Sequence, residues 1–297
     1  MIKTFKIDKD SEDQRLDKFL KRNFSSLNQS FIEKNLRKNN ILVNNKSVKS
    51  KYLVKAEDII KIYNYTNESY ANYKKIIKNK DIKQSIKKNF EKSVLYEDEN
   101  FMVIDKWSGI ATQGGSNISI SIDTIIKNIS LNYNLVHRLD KETSGLLLIA
   151  KNLKYTKIFG KLFKSQNIKK IYLALCDGKP KIKESYVDLL LSSNHNNKTI
   201  ESKTYYKHLS YNQKTSLIKF EPKTGKKHQL RIVAKNIGCP IIGDKKYNLN
   251  KSNKLENLKL NASKLEFSIE NKKFNFTSNL PKDFYDFLKL KEIKFKN

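Results

Sequence analysis

Residues 137–145 read His137-Arg138-Leu139-Asp140-Lys141-Glu142-Thr143-Ser144-Gly145 and run into Leu146-Leu147-Leu148-Ile149-Ala150. An uninterrupted apolar run of that length predicts a buried strand. Asp140 then stands at the strand entrance, beside Arg138 and His137. An acid in that position is poised for chemistry on an anionic partner. The bland alternative is a loop whose Asp caps a turn through Ser144-Gly145.

The rest of the chain favours a polyanion as that partner. The 297 residues hold 60 Lys and Arg against 30 Asp and Glu, a net charge of +30. Each cation placed near a phosphate releases counterions, so such an excess points to nucleic acid. An anionic membrane surface is the rival, but no basic amphipathic helix with an aromatic face stands out. No apolar run approaches the roughly 18 residues of a spanning helix, and the N-terminus lacks the apolar segment of a secretory signal. Only Cys176 and Cys239 occur, without metal-ligand spacing, so a reducing cytoplasm is expected and neither disulfides nor a metal. Arginine is scarce: it occurs only at 15, 22, 37, 138 and 231. Where Lys would supply charge anywhere, a retained Arg points to a need for its planar fork.

Several elements must position Asp140. All nine Gly lie between Gly109 and Gly243, which sets the first hundred residues apart as a separate domain. Within 13–63, Leu16, Phe19 and Leu20 recur at helical spacing. Ser30 and Glu33 form a capping box for a helix over 31–38. Ile41–Val43, Asn44-Asn45 and Lys46–Val48 read as strand, turn and strand, with a last strand over 59–63. Residues 64–92 hold eight Lys and three acids and read as a basic linker. Beyond it, 93–297 mixes strands (94–96, 101–104, 168–176, 204–209, 217–221 and 230–233) with helices near 121–130 and 153–165. The fold class is α+β, around a mainly antiparallel mixed sheet.

Four segments together carry a resemblance. They are Val94–Asn100 with Asp105-Lys106-Trp107-Ser108-Gly109, the His137–Lys151 run, Lys170-Ile171-Tyr172-Leu173-Ala174, and Thr224-Gly225-Lys226-Lys227-His228-Gln229-Leu230-Arg231 continuing through Gly243-Asp244 to Tyr247. In this order they resemble the RluA family of pseudouridine synthases, and most of all its members acting on large-subunit ribosomal RNA. Residues 13–63 resemble an S4 RNA-binding domain, opening on Arg15-Leu16-Asp17-Lys18-Phe19-Leu20. Trp107 and Ala234 depart from the family, which often has Pro and His there.

The resemblance implies isomerisation of specific uridines to pseudouridine without cofactor or metal. Asp140 would be the nucleophile, on the sugar or on the base, with Arg231 as its charge partner. Tyr172 would stack on uracil and share in proton transfer. Arg138 would take part in base flipping, and His137 would contact RNA or shape the loop. In the S4-like unit, Arg15, Lys34, Arg37 and Lys38 would bind RNA. The expected protein is a cytoplasmic monomer whose partner is ribosomal RNA, with no membrane association. The alternatives are the same chemistry on another rRNA site or a tRNA, or a non-catalytic RNA-binding ribosome-assembly factor. The intact catalytic segments argue against the last.

Overall fold

The computed structural model describes all residues except 25, 71–81, 116–117, 193–198, 251–255 and 296–297, and the side chains of 10 and 192. The chain divides into two compact units, Met1–Asp81 and Ile82–Asn297. The division falls inside the stretch expected as a linker.

In the first unit, β1 (Lys3–Lys6), β3 (Ile59–Ile62) and β2 (Ile41–Val43) form an antiparallel sheet in that order. Helices α1 (Leu16–Asn23) and α2 (Gln29–Arg37) bury Leu16, Phe19 and Leu20, and Ile32 and Leu36, against it. The expected capping box does not form. Asn28 caps α2 by accepting the Phe31 N–H at 2.8 Å, and Ser30 lies within the helix. Asn outcompetes Ser here because it precedes the first helical turn, where the unpaired N–H groups are. The strand expected at 46–48 is reduced to a bridge between Val43 and Lys46. Asn44 and Asn45 both take positive φ, so the turn closes tightly and the chain then departs. Tyr65 and Tyr70 stack with Phe24 nearby, so 64–70 belongs to this core and not to a linker.

The second unit opens with α3 (Gln84–Ser93), whose Phe90 is buried in its core. Its sheet runs β4 (Val94–Glu97), β5 (Phe101–Lys106), β7 (Ser144–Ala150), β12 (Leu260–Ile269), β8 (Lys169–Asp177), β11 (Thr215–Pro222), β10 (Thr199–Asn212) and β9 (Glu184–Ser192). The short β6 (Asn134–Leu135) adds to β7, and β13 (Lys272–Thr277) adds to β12. Only β7 and β12 pair in parallel among these; the other pairs are antiparallel.

Both faces of the central strands are covered, which is why all seven residues of β7 are buried. On one face, Leu147 and Ile149 pack with α4 (Ile122–Ile129), while Ala174 and Phe220 pack with α6 (Gln229–Asn236). On the other, Leu146 and Leu148 pack with α5 (Leu153–Lys164), while Leu173 and Leu175 pack with α7 (Lys282–Leu290). Residues 230–233, expected as a strand, are helical. Leu230, Val233 and Ala234 bury one face at i, i+3 and i+4. A four-residue window is too short to separate the two periods. No helix among the described residues is long and apolar enough to cross a membrane.

Candidate active site

Asp140 lies on the loop between β6 and β7, and backbone bonds on both sides of it hold that loop. Thr112 Oγ1 donates to the Leu139 carbonyl at 2.7 Å and accepts the Leu139 N–H at 3.1 Å. The Gly109 N–H and Lys106 Nζ donate to the Lys141 carbonyl at 3.0 and 3.2 Å. Ser108 Oγ donates to the Glu142 carbonyl at 2.8 Å. The Asp105–Gly109 segment thus braces the Asp140 loop from behind. Lys106 is fully buried and also donates to the Trp107 and Ile110 carbonyls, each at 3.0 Å. Burial pulls it down to about 7, against the attraction of Glu142 and Asp140.

Gly145 follows the loop at φ +105, and a Cβ there would meet the Ala262 backbone oxygen at 2.4 Å. Only glycine lets β7 approach β12 so closely.

The segment 224–231 supplies the facing wall. Gln229 is buried and binds four groups: it accepts from Thr224 Oγ1 and the Lys226 N–H, and donates to the Lys203 carbonyl and Thr204 Oγ1. With that side chain fixed, α6 starts at a set point and Arg231, on its first turn, is aimed at Asp140.

Arg231 NH1 lies 3.9 Å from Asp140 Oδ2. The expected charge partners thus face each other without a hydrogen bond. The fork instead clamps Asp244, with Nε to Oδ2 at 2.7 Å and NH2 to Oδ1 at 2.6 Å. Asp244 is buried and also accepts the Lys246 and Tyr247 N–H groups. Burial alone would raise its carboxyl, but the Arg231 and backbone bonds outweigh that and hold it below the usual range. A carboxylate with no water around it competes better for the fork than the partly solvated Asp140. The sequence alone assigns Asp244 and Tyr247 no role, because no spacing rule ties 244 to 231.

A cavity of about 630 Å³ opens at this point. Asp140, Tyr172, Arg231, His137 and Arg138 all line it. Among the described residues its wall holds seven Lys and Arg and a single carboxylate, that of Asp140. Tyr172, half-buried on β8, has its phenol raised well above the usual range by burial and then by Asp140. Its hydroxyl has no hydrogen-bond partner among the described residues. Arg138 is exposed at the rim. His137 turns inward. Its Nε2 accepts the Leu148 N–H at 2.9 Å and its ring lies 4.8 Å from Phe163. Burial, then Lys170, pushes His137 down to about 3, so the ring is neutral.

Residues 100–236 match the family model for RNA pseudouridylate synthase. The ribosomal large subunit pseudouridine synthase C of Rickettsia bellii is 38% identical over 289 residues, covering 91% of this chain and 95% of the relative. The chain belongs to the RNA pseudouridylate synthase family. Its chemistry is therefore the isomerisation of uridine to pseudouridine in RNA. The synthase C of Vibrio parahaemolyticus is 31% identical, covering 81% of this chain and 78% of that one. Among solved structures, human RNA pseudouridylate synthase domain containing 4 shares the fold, with a TM-score of 0.64 at 23% identity. That match covers 72% of this chain and 98% of the human one. Of the two residues expected to differ from the family, Trp107 packs half-buried against the α4-side core, and Ala234 faces the core beneath α6, away from the cavity.

The residues expected to bind RNA in the first unit are disposed unequally. Lys34, Arg37 and Lys38 are exposed on or just after α2. Arg15 instead spends its fork on Asp17, at 3.0 and 2.6 Å.

Proposed function

We propose that this enzyme converts specific uridines of large-subunit ribosomal RNA to pseudouridine, with Asp140 as nucleophile. The observation that carries the reading is the cavity wall, where one carboxylate stands among seven cations. The cations draw in the RNA backbone, and the carboxylate is left as the only anionic group facing the substrate. The reaction breaks the N-glycosidic bond, turns the uracil and rejoins it through carbon 5, whose proton must leave. Tyr172, which lines the same cavity as Asp140, stacks on the uracil and shares in that proton transfer. A uridine within structured RNA must be extruded to enter the cavity, and Arg138 at the rim fills the gap by stacking on the neighbouring bases. His137, neutral and bonded to β7, shapes the loop.

The first unit acts as an S4-type RNA-binding domain through Lys34, Arg37 and Lys38. Its helix pair and small sheet support that reading, as does the opening at Arg15. The partner named for the curated relatives is the large ribosomal subunit, and ribosomal RNA in the cytoplasm is the substrate proposed for this monomeric enzyme. The test is to map pseudouridine in ribosomal and transfer RNA from cells with and without the protein. The expected result is loss of defined large-subunit positions. Loss confined to transfer RNA overturns the target, and no loss in either overturns the reading.

A further inference from the structure

His228 is the other side chain that reaches Asp140. Its Nε2 lies 3.9 Å from Oδ2, the same oxygen that Arg231 approaches. His228 occupies the N-cap of α6 in the left-handed region, at φ 55 and ψ 19, and makes no side-chain capping bond. Glycine or asparagine would adopt that backbone more easily, and asparagine would also cap the helix. The ring is committed elsewhere. Its Nδ1 lies 3.0 Å from the Tyr247 hydroxyl, and the two rings meet edge to face with centroids 5.6 Å apart. Tyr247 is itself fixed, with its N–H on Asp244 and its ring 5.1 Å from the Arg231 guanidinium carbon.

We propose that His228, oriented by Tyr247 and facing Asp140 as its Nε2–H tautomer, is a positioning residue that presents an N–H to the Asp140 carboxylate. This rests on the reading of Asp140 as the nucleophile. The carboxylate end of the ring selects the tautomer, and the phenol end, which can donate or accept, accommodates it. An ionised carboxylate only accepts, so a lone pair on Nε2 would face it unfavourably, whereas an N–H is attracted. Nδ1 then bears the lone pair, and the Tyr247 hydroxyl is the donor to it. The imidazole stays neutral: burial lowers it first, and Arg231, Lys246 and Lys227 lower it further, against Asp140. A gap of 3.9 Å closes to hydrogen-bond length with a small movement, as such contacts do once substrate is bound. Arg231 and His228 would then both hold Oδ2, leaving Oδ1 to face the uridine. The family's charge partner is in this way supplemented by a neutral donor whose direction is set by a phenol.

Histidine-selective ¹⁵N labelling of the full-length protein reads the tautomer directly, with the His228 signal assigned by its loss in His228→Gln. The expected spectrum has Nε2 protonated and Nδ1 bare, and Asp140→Asn, whose amide can donate or accept, turns it into a mixture. Single-turnover kinetics on a ribosomal RNA transcript give the second readout. His228→Phe should slow the step at least ~10-fold, with RNA affinity and melting temperature unchanged. His228→Gln, whose amide restores an N–H near the Nε2 position, should recover to within ~3-fold of the parent rate. A protonated Nδ1, a His228→Phe variant as fast as the parent, or a rate loss shared in full by His228→Gln overturns the proposal. The spectrum does not depend on Asp140 being the nucleophile, so its failure is distinct from failure of that reading, which turnover by Asp140→Asn would signal.

Discussion

At the scale of single residues, the geometry of Arg231 predicts that a lysine will not serve. It holds Asp244 with two parallel bonds while its remaining nitrogen faces Asp140. A lysine offers one compact charge and cannot span both acids. Arg231→Lys should therefore cut the single-turnover rate at least ~10-fold, equivalent to about 1.4 kcal/mol in the transition state. Arg22→Lys, at an exposed position, should be nearly silent in the same assay, and equal small effects would show that the site needs charge alone. Asp140→Asn should abolish product in a tritium-release assay while leaving RNA affinity intact, because it removes the one anion from a cationic wall. Measurable turnover would sink the nucleophile assignment. His137 gives a pH signature. Its folded state stays neutral to about 3, whereas the unfolded chain binds a proton near 6.5. Between those values the unfolded state holds more protons, so stability falls as pH falls. The loss should be on the order of 1 kcal/mol by pH 5, allowing for the ring's partial exposure. Unfolding midpoints of parent and His137→Gln from pH 7 to 5 check this, and parallel slopes would refute it. The sequence marked Asp140, Tyr172 and Arg231 as one set, and they do line one cavity. It missed the fork's true partner because burial, which decides between Asp140 and Asp244, is a property of the fold.

At the scale of elements, long runs were legible and the C-terminal region was not. The run Leu146–Ala150 announced β7, and the apolar spacing in 121–130 announced α4, whose first turn Ser121 caps. Residues 248–297 carried no recognisable motif, yet β12 lies at the middle of the sheet, between β7 and β8. Its pairing is set by tertiary neighbours: Asn261 and Ala262 lie opposite Ser144 and Gly145 on one side, and Ala262 lies opposite Tyr172 on the other. β12 is thus the element that joins the strand after Asp140 to the strand bearing Tyr172. A chain ending at 247 should fail to fold its second unit, since two strands would lose a partner and Leu260, Leu265 and Phe267 would leave the core. A cooperative melt of that unit in the truncated protein would contradict this. Gly145→Ala tests the same junction more gently. The added Cβ meets backbone, which cannot swing aside, so the cost should be about 3 kcal/mol in denaturant unfolding.

At the scale of the whole molecule, charge and unit boundaries set how RNA is gathered. Residues 1–81 hold 19 basic and 10 acidic residues, so removing them takes +9 from the net +30 and leaves +21. The second unit then keeps the cavity and all seven of its cations. The cut belongs at 81, because α3 carries Phe90 into the second unit's core and a deletion through 92 would strip it. The composition shift at Gly109 showed that a boundary existed. It did not locate it, because a helix rich in Lys resembles a linker when its core-facing side is only a couple of residues, here Ile86 and Phe90. If Lys34, Arg37 and Lys38 each neutralise a phosphate, the 82–297 chain should bind the ribosomal transcript more weakly. The slope of log affinity against log salt should also flatten by about 2 to 3, the share of three phosphate contacts. Its melting transition should match that of the second unit in the full chain. An unchanged affinity and salt slope would show that the first unit is not an RNA-binding domain, whatever its resemblance to one. A steep loss of affinity without a change in slope would mean that it binds through something other than charge.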